Sequence, residues 1–198
     1  MSLTPLPRFL LPSRARIRFV LIAVLAAIAV GTAPEEYRKR PEVKERVAAL
    51  TAFLRGPHEK QPFQNTLAMA WAASKLPEAM DPVERKKALR DALAKQEADG
   101  GWSMASLGPW NAHPNAPPHS GTNTYATAFT AYVLMENGMQ PSDARIAKAL
   151  AWLGSHQSQH GYWYADSMNR VYPPDSVEVR FMRDAATGFA SLALLKVR

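Results

Sequence analysis

Four aromatic side chains, Trp71, Tyr125, Phe129 and Tyr132, fall on Ala-rich apolar segments. Rings in that setting can line a site for an apolar ligand, or face positive charge with their negative π-surfaces. The same stripe also packs as ordinary core. Asp184 stands immediately before Ala185-Ala186-Thr187. A lone carboxyl among aromatic rings would have a raised pKa and could donate a proton. An acid at a helix start is equally explained by the macrodipole. Asp184 is the one candidate for a catalytic group. The stretch from Ser103 to Gly121 is long and rich in proline, and it carries Trp110, His113 and His119. Loops of that length often cover or contact ligands, or order as plain surface. Two histidines fall short of the three or four ligands that zinc requires. His156 and His160 are four apart, but His160 belongs to a turn. No metal and no cofactor is therefore expected. No G-x-S-x-G elbow occurs, and there is no cysteine. Thiolate nucleophiles, disulfides and cysteine-ligated zinc are excluded by composition.

These residues are set on an internal repeat. Gln96-Glu97-Ala98-Asp99-Gly100-Gly101-Trp102 and Gln157-Ser158-Gln159-His160-Gly161-Tyr162-Trp163 share the pattern Q-x-x-x-G-x-W, 61 residues apart. Tyr125-Ala126-Thr127-Ala128-Phe129 parallels Ala185-Ala186-Thr187-Gly188-Phe189, 60 residues on. Each opens an apolar helix, 125–136 and 185–196, and Asn65 to Leu76 has the same character. Amphipathic helices alternate with them. Asp81-Pro82-Val83-Glu84 is a start signal, followed by a stripe of Ala88, Leu89, Ala92 and Leu93. Ser142 is positioned to cap a second, striped by Ile146, Ala149, Leu150 and Leu153. Val43, Val47, Leu50 and Leu54 stripe a third. Helices apolar on most sides belong inside and those with a charged face outside. The expectation is an all-α double layer.

The 198 residues carry 24 basic and 17 acidic side chains, a formal charge of +7. Residues 1–40 hold seven basic and two acidic side chains, so the rest of the chain is nearly balanced. No basic patch with interleaved aromatics occurs there, and nucleic acid is not expected as a partner. Residues 1–18 read as a basic lead and 19–198 as the repeat domain. The apolar run within 19–33 has two readings. A basic lead, about 12 apolar residues and Gly31-Thr32-Ala33 describe a signal peptide or short anchor. The repeat instead places an inner helix there. Localisation follows the choice: exported or membrane-associated in the first case, cytoplasmic in the second.

The two turns resemble the QW motifs of squalene–hopene cyclases, which share the α/α-toroid fold with prenyltransferase β-subunits and thioester proteins. The matching residues are Gln96, Gly100, Trp102, Gln157, Gly161 and Trp163. The resemblance implies that the Gln of each turn binds helix-end backbone groups and that the Trp stacks on it, tying outer helices together. It implies an all-α α/α toroid, partial or incomplete, since about three and a half helix pairs stand where a full ring has about five to seven. It also places substrates in a central cavity near the starts of inner helices, which is where Asp184 would lie. The chain departs from the family in its chemistry. It has no D-x-D-D and no D-D-x-x-D, and it lacks the cysteine of prenyltransferase zinc sites and of thioesters. Cyclase activity by this chain alone is not expected.

The functional expectation is a squalene-cyclase-like repeat protein that binds an apolar isoprenoid or triterpene-like ligand, or acts on one as part of a longer protein. Trp71, Trp110, Tyr125, Phe129 and Tyr132 are its cavity candidates. The alternative is a non-catalytic helical scaffold that docks a protein partner. An incomplete ring leaves apolar inner helices uncovered, so a protein partner, a second copy or membrane contact through 19–33 is expected to complete the layer.

Overall fold

Local signals set most of the helix starts. Asp81 accepts hydrogen bonds from the N–H groups of Val83 and Glu84 at 2.8 and 3.2 Å, and Pro82 fills the first helical position. That satisfies donors a helix N-terminus otherwise leaves orphaned. Asn123 does the same for Tyr125 and Ala126 at 2.9 and 3.3 Å. Ser176 caps through the N–H of Val179 at 3.3 Å. The computed structural model describes residues 13–56, 61–110, 121–167 and 170–197. Among these it is all helical, without a strand. The helices are α1 (Ser13–Thr32), α2 (Glu35–Arg38), α3 (Pro41–Leu54), α4 (Phe63–Lys75), α5 (Pro82–Ala94), α6 (Thr124–Glu136), α7 (Ala144–Ser155) and α8 (Val177–Leu195).

The long helices alternate between two layers. α1 lies on α4, α4 on α6, and α6 on α8. α3 packs on α1, α5 on α4, and α7 on α6 and α8. The degree of burial follows from position. α6, flanked on both sides in its row and covered by α7, is buried at nearly every residue from Ala126 to Met135. An Ala/Thr-rich sequence with Val133 and Leu134 suits it, because small side chains let neighbouring helices approach closely. α7 buries Ile146, Ala149, Leu150 and Leu153, the stripe read from its sequence, together with Trp152. Its opposite face stays polar, so the 3.6-residue period is what puts it in the outer layer.

α1 enters the same core through Ala23, Val24 and Ala27. A Cβ at Gly31 would collide with the backbone carbonyl of Lys75, so glycine is what lets the ends of α1 and α4 touch. Among the described residues, no helix is long and apolar enough to cross a membrane. Residues 1–12 of the basic lead lie outside the described residues, as do His113 and His119.

Two sequence expectations shift. The last inner helix begins at Val177, well before residue 185, because Ser176 supplies a cap and Glu178 sits in the first turn. The cap of α7 is Asp143, not Ser142. The Asp143 carboxylate accepts from the N–H of Arg145 at 3.0 Å, and its own N–H closes a turn onto Gln140.

Candidate functional site: an aromatic face shared by three inner helices

The two Gln–Gly–Trp turns place the inner helices. In the first, the Trp102 indole N–H donates to the carbonyl of Ala92 at the end of α5, 2.7 Å away. The Trp102 backbone N–H donates to Thr127 Oγ1 in α6 at 2.9 Å. The Gln96 amide donates to Gly100 at 2.8 Å. The second turn repeats all three bonds. Trp163 reaches Leu153 at 2.8 Å and Thr187 at 3.1 Å, and Gln157 reaches Gly161 at 2.9 Å. Gly100 and Gly161 both adopt positive φ, at 100° and 84°, a conformation that costs glycine little. The first turn thus bolts the end of α5 to the first turn of α6, and the second bolts the end of α7 to the middle of α8.

The turns differ in what covers them. Gln96 also donates to the Arg145 carbonyl at 2.9 Å, the Arg145 guanidinium returns a bond to Leu93, and the Trp152 indole donates to Asp99 at 3.0 Å. Burial pushes the Asp99 carboxyl up, but hydrogen bonds from Thr122, Gly101 and Trp152 outweigh it and hold its pKa below the ordinary value. The corresponding face of the second turn, with Gln157, His160 and Gly161, is exposed.

Registered in this way, α4, α6 and α8 bring five rings together. Trp71 meets Tyr132 edge to face, with centroids 5.4 Å apart. Tyr125 and Phe129 are parallel at 5.8 Å. Phe189 touches all four others: Phe129 at 5.1 Å, Tyr125 at 5.6 Å, Trp71 at 5.9 Å and Tyr132 at 6.2 Å. Such edge-to-face arrangements suit the ring quadrupoles. Phe129 and Tyr132 are buried, while Trp71, Tyr125 and Phe189 are half-buried and form the accessible part of the face.

The phenols of the face are neutral, and Lys196, 5.9 Å from the Tyr132 centroid, is paired with Glu136. Burial pushes the Tyr125 phenol up to about 12. Tyr132 is also pushed to about 12, by burial first and then by the charge of Glu136, against a smaller lowering influence from the Trp71 N–H. The Gln64 amide donates to the Tyr125 oxygen at 2.9 Å, leaving the phenol proton free to donate. Behind Tyr132, Glu136 is held between Lys75 and Lys196. Its side chain is only 2 % exposed. Burial alone would raise its pKa; Lys196 and Lys75 together reverse that and keep it ionised.

Four of the five cavity candidates therefore converge: Trp71, Tyr125, Phe129 and Tyr132. Trp110 has no ring contact with them among the described residues. Its indole donates to the Met104 carbonyl at 2.6 Å, in a segment tied to the start of α4 by the Phe63 N–H on Gly108. Asp184 does not stand at a helix start. It lies within α8, 75 % exposed, on the side away from the rings, with Arg183 3.8 Å away. The extra turns of α8 displace it from the position the apolar stretch implied. Sequence reasoning missed Phe189, although the repeat pairs it with Phe129. It also missed the Lys75–Glu136–Lys196 series, whose members occupy the same place in successive repeats. Among the described residues, no group of three or more His, Asp or Glu side chains could hold a metal ion.

No protein-family model and no curated protein matches this chain. The fold and the site define an all-α, two-layer helical repeat with an aromatic face on its inner row.

Proposed function

We propose that this chain is a squalene-cyclase-like repeat of the α/α-toroid type, complete or partial, whose inner aromatic face binds an apolar, isoprenoid-like ligand. The observation that carries the reading is the meeting of five rings from α4, α6 and α8 around Phe189, three of them half-open to solvent. Rings with neutral phenols offer an isoprenoid large apolar contact and weak attraction for its π-bonds, with no charge to desolvate. The two lysines nearest the face are engaged by Glu136, which favours a neutral ligand over a diphosphate. The shared bond pattern of the two turns supports the family likeness independently of the ligand. Binding is the role proposed for this chain, and no catalytic step is assigned to it.

A second reading is a helical scaffold that docks a protein. The exposed Ile22 and Leu25 on α1 and Phe181, Leu192 and Leu195 on α8 favour it. One experiment separates the two. Purified protein is incubated with a total lipid extract, repurified and analysed by mass spectrometry. The ligand reading expects isoprenoids enriched on the wild type and depleted on a folded Phe189→Ala variant. Equal recovery from both, or none from either, contradicts it.

A further inference from the structure

The two helices at the ends of the inner row each leave one face uncovered, and the uncovered faces match. On α8 the exposed positions Val177, Phe181, Asp184, Gly188, Leu192 and Leu195 follow one another at intervals of four or three. That is the spacing of a helix–helix seam. The stripe lies opposite Ala186, Ala190 and Ala193, which are buried. On α1 the exposed Ile22, Leu25, Ala29 and Thr32 show the same spacing, opposite the buried Ala23, Val24 and Ala27. Ile22 and Leu25 are 63 % and 53 % exposed, Phe181 and Leu195 73 % and 57 %.

We propose that the free face of α8 docks the free face of α1 from a second copy of this chain, head to tail. The joints already present in the row show the geometry. Gly31 of α1 abuts Lys75 of α4, and Lys75, Glu136 and Lys196 are linked in a series. These contacts mark one level through all four inner helices. Carried one step further at that level, a second α1 sets Ile22 beside Gly188, Leu25 between Gly188 and Leu192, and Ala29 between Leu192 and Leu195. Gly188 has nothing within 4 Å of where a Cβ would stand, so it offers a notch for the Ile22 side chain. The partner is a second copy because the two faces sit at opposite ends of one row and run in the same direction. A contact between unlike faces repeats from copy to copy until it closes on itself. The proposal does not rest on the ligand reading.

The absence of cysteine makes the test clean. Leu25→Cys and Leu192→Cys are made singly in the full chain and treated with a short bis-maleimide, separately and mixed. Both positions are exposed, so neither change should unfold the protein, and circular dichroism checks that. Covalent dimer is expected from the mixture, with little from either variant alone. Light scattering of the unmodified chain should give a multiple of the monomer mass that Leu192→Glu reduces to one. Mixing Leu192→Glu with Leu25→Lys should restore a dimer, because the intact α8 face of one variant meets the intact α1 face of the other. A monomer at every concentration overturns the proposal. So does cross-linking of one variant with itself as fast as with the other, which would mean like faces meet. Binding of lipid vesicles by a chain that stays monomeric in solution also overturns it, since the apolar faces would then serve a membrane.

Discussion

The backbone N–H of Trp102 donates to the hydroxyl of Thr127, and one repeat later Trp163 and Thr187 make the same bond. The first bond reaches the first turn of α6 and the second reaches the middle of α8. Both indoles are buried and both N–H groups are satisfied by a helix-end carbonyl. Trp102→Ala should therefore cost about 3–5 kcal/mol, the range for removing a large buried aromatic. Gln96→Ala should cost more than Gln157→Ala, because Gln96 makes a second bond to Arg145 and Gln157 is exposed. Urea denaturation of the variants checks the order. Equal losses at the two glutamines would mean that the bond to α7 contributes nothing.

Gly31 provides a second test, of whether α1 belongs to the folded body. In a helix, Gly→Ala ordinarily stabilises by about 0.5–1 kcal/mol. At Gly31 the added methyl meets the Lys75 carbonyl, and backbone cannot move aside cheaply. Gly31→Ala should lower the melting temperature, at a cost of about 1–3 kcal/mol. Gly154 in α7 has nothing within 4 Å of its absent Cβ, so Gly154→Ala should raise it. If both changes stabilise, α1 does not pack on α4 in solution.

Acid should weaken the fold through Glu136. Its folded pKa is below its ordinary value of 4.5. A depressed carboxyl contributes stability that is fully present above the unfolded value and is lost as pH falls through the folded one. Asp99 has the same sign. Melting temperature should hold from neutral pH down to the ordinary carboxylate range and drop below it. Glu136→Gln should be less stable at pH 7 by about 1–3 kcal/mol, below the figure for a fully buried pair because both lysines reach solvent. Its acid-induced drop should also be shallower. A variant that melts like the wild type at pH 7 would show that the Lys75–Glu136–Lys196 series is incidental.

Much of the fold was legible because its signals are local. The Asp81-Pro82-x-Glu84 start, the α7 stripe and the Q-x-x-x-G-x-W turns each depend on residues within two turns of one another. Four ring positions were legible for the same reason, as aromatics on apolar helices. What escaped depends on partners far along the chain. Val177–Arg183 mixes charge with apolar residues, so it reads as a connection until Ser176 is seen to cap it. Asp184 was misplaced with it. Phe189 becomes the hub only when α8 is laid against both α4 and α6. Glu136 looks like a polar helix end until Lys75 and Lys196 arrive from the two neighbouring helices.

The central claim is that the aromatic face holds an isoprenoid-like ligand, and Trp71 reports on it directly. Squalene dispersed in dilute detergent should produce a saturable change in tryptophan fluorescence in the wild type. In Trp71→Phe that change should vanish, while the variant, which keeps a ring at the site, still retains squalene through gel filtration. Loss of the signal with retention of the ligand is the predicted result. An unsaturable response, or one left unchanged by Trp71→Phe, would contradict the account.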